Sequence, residues 1–118
     1  MVLVDTSIWV THLRHGAIGL EALLHGGRAV CHPFIVGELA CGNLQNRPEI
    51  ISLLQTLPGA IRAGHEEIMK FIENYRLMGK SLGYIDIHLL ASAMLTGIPL
   101  WTIDKKLNEV AIKLGLVP

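Results

Sequence analysis

Four of the ten acidic residues stand where local sequence gives them little reason to be. Asp5 directly follows the apolar run Val2-Leu3-Val4, and Asp104 directly follows Leu100-Trp101-Thr102-Ile103. Glu38 is the only Asp, Glu, Lys or Arg between Arg28 and Arg47, and Asp86 is the only one between Lys80 and Asp104. A lone carboxylate in an apolar segment is costly to desolvate unless it is paired or meets a cation. Brought together, four carboxylates repel one another, and some would hold protons near neutral pH. A divalent cation removes that conflict. Hard oxygen donors suit Mg²⁺ or Mn²⁺, which keep several waters and bind phosphate oxygens as well. The chemistry open to such a set is attack of a metal-activated water on a phosphodiester.

The elements that must bring the four together can be read from the apolar pattern. Val2–Val4, Arg28–Cys31 and Leu100–Ile103 are short strands, and Ala60–Ala63 is a further strand candidate. Helices are expected from Thr6 to about Arg14, Gly19 to His25, Pro33 to about Gly42, Arg47 to Leu57, His65 to Met78, Tyr84 to Thr96 and Lys105 to Leu114. Thr6-Ser7 offers N-cap hydroxyls, Pro33 suits a first helical turn, and Gly97 and Gly115 stand just past helix ends. Short apolar strands alternating with helices predict an α/β fold around a parallel sheet. In such a sheet Asp5 and Asp104 end their strands at one edge, where ligands bind. Glu38 lies early in the helix after the second strand, and Asp86 opens the helix before the last strand. Both helices start at that same edge.

Each acid also has a plain alternative. Asp5 and Asp104 could cap the helices that follow, although neither has Glu or Gln three residues on, so neither forms a capping box. Glu38 and Asp86 could be early-turn acids favoured by the helix dipole.

Composition narrows the function classes. The 118 residues fit one domain, with 51% apolar and 17% charged residues and 12 glycines besides. That apolar excess points to strands covered on both faces and to surface kept for subunit or partner contacts. No run reaches the ~20 apolar residues of a membrane span. The start, Met1-Val2-Leu3-Val4-Asp5, lacks a basic n-region, which argues against a secretory signal and for a cytoplasmic protein. Cys31 and Cys41 lack a metal-ligand spacing and read as reduced core thiols. Formal charge is zero from ten basic and ten acidic residues. With four acids committed to a cation, ten bases face six acids, enough to attract a polyanion modestly.

Other residues carry less. The six histidines show no His-Glu-x-x-His or Cys/His ligand pattern. His88 reads as a packing or surface residue, and Trp9 and Trp101 as core. Lys105-Lys106 could steer phosphate or simply be solvated.

The set Val4-Asp5-Thr6-Ser7, Glu38-Leu39, Asp86 with Ala91, and Thr102-Ile103-Asp104 resembles the PIN domain, and most nearly the VapC-type ribonuclease toxins of prokaryotic toxin–antitoxin pairs. The resemblance runs from Val2 to about Leu116. It implies a three-layer α/β/α sandwich with a central, mainly parallel sheet, and a single PIN-like nuclease domain over residues 1–118. It further implies a Mg²⁺- or Mn²⁺-dependent endoribonuclease acting on cellular RNA. The expected assembly is a homodimer that a cognate antitoxin protein inhibits in a larger hetero-oligomer. By position, Asp5 and Asp86 would be metal ligands and Asp104 would complete the shell, directly or through water. Glu38 would orient or deprotonate the attacking water, and Thr6 and Thr102 could hydrogen-bond the carboxylates. Two other functions stand beside this one. A metal-dependent phosphatase would use the same strand-end Asp5 but usually wants a second acid where Ser7 stands. An inert PIN-like protein that only binds RNA or a partner would be favoured by a missing acid, and none is missing.

Overall fold

The computed structural model describes residues 1–16 and 18–118. Its sheet has three parallel strands in the order β2-β1-β3, with β1 Val2–Val4, β2 Ala29–Val30 and β3 Leu100–Trp101. Val2 and Leu3 sit opposite Ala29 and Val30 on one side, and Leu3 and Val4 opposite Leu100 and Trp101 on the other. The centre of the sheet is wholly enclosed: Leu3, Val4 and Leu100 are 0% exposed. A strand buried on both faces needs apolar residues at successive positions, which is why Val2-Leu3-Val4 does not alternate. After β2 the chain crosses to the other side of β1 to make β3. The sheet's switch point therefore lies between β1 and β3, at the edge where Asp5 and Asp104 follow their strands.

Seven helices flank this sheet among the described residues: α1 Thr6–His15, α2 Leu20–His25, α3 Pro33–Ala40, α4 Arg47–Thr56, α5 His65–Tyr75, α6 Tyr84–Thr96 and α7 Lys105–Lys113. The α/β architecture expected from the sequence is the one formed. Helix α6 is the most enclosed, with every residue from Ile87 to Ala93 buried. Its near-continuous apolar sequence follows from that position, and Asp86 is its lone acid because it lies where the helix emerges at the sheet edge. No helix is long and apolar enough to cross a membrane among the described residues.

Four local readings change. Ala60–Ala63 is not a strand: a single parallel bridge joins Cys31 to Gly59, and the chain then peels away as Ile61 N–H donates to Thr96 Oγ1 at 2.9 Å. Strand β3 stops at Trp101, because the next amides are taken by side chains. Ile103 N–H donates to Ser7 Oγ and Asp104 N–H to Thr102 Oγ1. The N-cap of α1 is Asp5 and not a Thr6 or Ser7 hydroxyl. Cys31 is buried, and burial pushes its thiol pKa up, but Cys41 is exposed because α3 ends at Ala40, one residue before it. Both thiols are free. Trp9 is core, and Trp101 packs half-buried against it.

Candidate active site

Asp5 leaves β1 into the N-terminus of α1 and is only 6% exposed. Two hydroxyls and one amide reach it. Ser7 Oγ donates to Asp5 Oδ2 at 2.7 Å, Thr102 Oγ1 donates to the same oxygen at 2.8 Å, and Ser7 N–H lies further off at 3.4 Å. Each hydroxyl has one proton, and both protons are committed to Asp5. The two hydroxyl oxygens, 3.2 Å apart, therefore accept in turn: Ser7 Oγ from Ile103 N–H at 3.2 Å, and Thr102 Oγ1 from Asp104 N–H at 3.0 Å. This clasp ties the end of β3 to the start of α1, across 97 positions of sequence. It leaves Asp5 Oδ1 with no donor among the described residues.

The other three carboxylates are also held by one oxygen. Glu38 Oε1 accepts from Thr6 Oγ1 at 2.7 Å, so the residue beside Asp5 fixes the acid on α3. Asp86 Oδ2 accepts from Gly83 N–H at 3.0 Å, at the start of α6. Asp104 is the N-cap of α7, its Oδ1 accepting from Leu107 N–H at 2.9 Å. The capping alternatives for Asp5 and Asp104 are thus realised, and each cap occupies a single oxygen. The second oxygens of all four carboxylates have no donor among the described residues.

The three aspartates share one electrostatic environment. Burial raises the Asp86 pKa, the bond from Gly83 N–H partly opposes this, and the charges of Asp5 and Asp104 raise it further. Glu38 is tied to Thr6, the residue next to Asp5. Among the described residues no three carboxylate, imidazole or thiolate groups form a ready-spaced cage for an ion. Mg²⁺ does not need one, since it keeps several waters and takes one or two carboxylates besides the substrate's phosphate oxygens. A set of hard oxygens, each carboxylate offering one oxygen without a donor, fits that requirement.

Ser7 is the site residue that sequence reasoning passed over. Its signal was present: a hydroxyl two residues after a strand-end aspartate that also caps a helix is placed to turn back onto it. The histidines do other work. His32 caps α3, its Nδ1 accepting from Phe34 N–H at 3.0 Å. Burial lowers its pKa to about 4, helped by the charges of His88 and Arg62. His88 is buried, with the Phe34 and Tyr84 rings edge-on at 4.7 and 4.6 Å, and its pKa is lowered by burial and then by His65. It packs, as the sequence suggested.

With this geometry in place, the chain can be set beside known proteins. It is 38% identical over 117 residues to Ribonuclease VapC32 of Mycobacterium tuberculosis, in both the CDC 1551 / Oshkosh and the ATCC 25618 / H37Rv strains. The match covers 98% of this chain and 94% of each relative. The chain belongs to the VapC family of PIN-domain ribonucleases. The parallel sheet with its flanking helices is consistent with the PIN-like fold of that family. No protein-family model matches the chain.

Proposed function

We propose that this VapC-family chain is a metal-dependent endoribonuclease, the toxin of a toxin–antitoxin pair, cutting cellular RNA in the cytoplasm. The observation that carries it is the near-full-length relationship to a ribonuclease in a chain whose four isolated acids are each held by one oxygen only. Asp5, Asp86 and Asp104 would hold Mg²⁺, or Mn²⁺ in its place, directly or through water. The ion supplies a water of lowered pKa and positive charge for the phosphate oxygens. The clasp of Ser7 and Thr102 holds Asp5 in one orientation, as hydrogen bonds to a ligating carboxylate do. Glu38, steadied by Thr6, orients or deprotonates the attacking water.

The phosphatase alternative loses ground, because Ser7, which stands where its second acid would, is spent on Asp5. Exposed Leu53, Met69 and Ile112 offer apolar surface for a homodimer and for an antitoxin, whose Arg or Lys could pair with the carboxylates and block phosphate. The reading is tested by incubating purified protein with unstructured RNA in Mg²⁺, in Mn²⁺ and in chelator. Internal cleavage with either ion and none in chelator is expected. Undiminished cleavage by metal-stripped protein would contradict it.

A further inference from the structure

A cleft of about 600 Å³ has Thr6 and Glu38, one of the four acids, in its wall. It continues between α1 and the loop joining α3 to α4. Arg14 lines it from the α1 side, and Asn43, Gln45 and Asn46 line it from the loop. All four of these side chains are exposed. The loop carrying the amides is pinned. The Arg47 guanidinium donates to the Ala40 carbonyl and, at 3.3 Å, to the Gly42 carbonyl, closing the C-terminal end of α3. Asn46 adds a fixed bend, with φ at 53°.

We infer that this cleft is a base-reading subsite for the RNA nucleotide next to the scissile phosphate. This rests on the ribonuclease reading above. Side-chain amides pair a donor with an acceptor and so match the edge of an unstacked base, which is how proteins read single-stranded RNA. Arg14 is suited to the adjoining phosphate, since a guanidinium binds phosphate through two parallel hydrogen bonds. A volume of this order matches small-ligand sites and exceeds what one base needs. Continuity with Glu38 sets the register, because one of the two nucleotides flanking a phosphate held at the carboxylates can then lie along this wall. The lining is mixed: Val10, Leu13, Leu39, Leu44 and Ile50 also face the cleft, and apolar side chains of this kind can cover the face of a base while the amides meet its edge.

The test compares the parent with the Asn43→Ala/Gln45→Ala double variant on a pool of unstructured RNA of random sequence, reading the ends produced. Both positions are exposed, and thermal melts confirm that the variant is folded. The preference for one base beside the cut should fall about ten-fold, the loss expected when a paired base contact is removed. In parallel, NMR of the metal-free parent with a pool of short single-stranded RNAs should shift the side-chain amides of Asn43 and Gln45. Cleavage with unchanged preference and unmoved amides would overturn the subsite and leave the ribonuclease reading intact. Shifted amides without any cleavage would do the reverse. A double variant that escapes an inhibitory partner yet keeps its cutting pattern would make the cleft a protein-docking surface and overturn the proposal.

Discussion

Asp5 and Asp104 both follow a strand of the same sheet and both cap a helix, yet they are held in different ways. Asp104 is fixed from within its own helix, by Leu107 N–H three residues on. Asp5 is fixed by Ser7 nearby and by Thr102 from the far end of the chain. Asp86 sides with Asp104, since its partner is Gly83 N–H three residues back. The locally held acids can take their places whenever their helices form. Glu38 too is held from a distance, by Thr6, but Asp5 is the most buried of the four acids, and it depends on β1 and β3 being paired. Its geometry therefore reports on the whole sheet edge, and its loss should be felt as function more than as a lost cap.

The largest effect that would sharpen this contrast is on activity. Thr102→Val removes one donor to Asp5 and the acceptor for Asp104 N–H, and Ser7→Ala removes the other donor. Either should lower the cleavage rate about 10–100-fold, the usual cost of removing a partner that orients a metal-ligating group. Steady-state cleavage beside thermal melts would show it. Parent-like rates in both would mean the clasp is only structural.

The next concerns a local cap with a titratable acceptor. His32 has an ordinary pKa near 6.5 when unfolded and about 4 in the fold. A depressed folded pKa contributes stability that is whole above the unfolded value and is lost as pH falls through the folded one. Stability should thus decline from about pH 6.5 downward, by on the order of 3 kcal/mol at pH 4. Denaturant unfolding of His32→Asn, which keeps an acceptor for Phe34 N–H but cannot titrate, should show a shallower decline. An identical pH profile would contradict it.

A smaller effect separates capping from chemistry at Asp104. Asp104→Ala should cost about 0.5–2 kcal/mol of stability, whereas Asp104→Asn keeps an acceptor and should cost much less. Cleavage should fall in both. At Asp86 the expected stability change is the least. Its raised pKa means that burial and its neighbours disfavour the ionised form in the fold, so without metal the folded state loses stability as pH rises through that value. Asp86→Asn should therefore melt at the same temperature as the parent or slightly higher at neutral pH. A clear drop would mean that the charge stabilises the empty fold.

These differences mirror what the sequence could reveal. The span of α6 follows from its apolar run and the glycines before and after it, and β1 from three apolar residues before an acid. The parallel α/β arrangement follows from their alternation, and with it the edge where strand-end acids must lie. Ala60–Ala63 misled because a short apolar stretch cannot say whether its amides meet a strand or, like Ile61, a threonine on α6. Thr102 bonding Asp5 was open to suggestion only through a family resemblance, because residues 97 positions apart show no periodicity. Cys41 looked buried because its neighbours are apolar, and only the end of α3 at Ala40 decides otherwise.

Asp5 caps α1, and the decisive question is whether its charge is needed for cleavage as well. The direct measurement is cleavage of unstructured RNA by purified Asp5→Asn beside the parent in Mg²⁺, with melting curves of both. Asparagine retains an oxygen to accept from Ser7 and Thr102 but not the charge that a cation requires. The predicted result is loss of Mg²⁺-dependent cleavage with the melt unchanged. Cleavage at the parent's rate by a variant that melts lower would show Asp5 to be a cap and nothing more, and the carboxylate site would have to be given up.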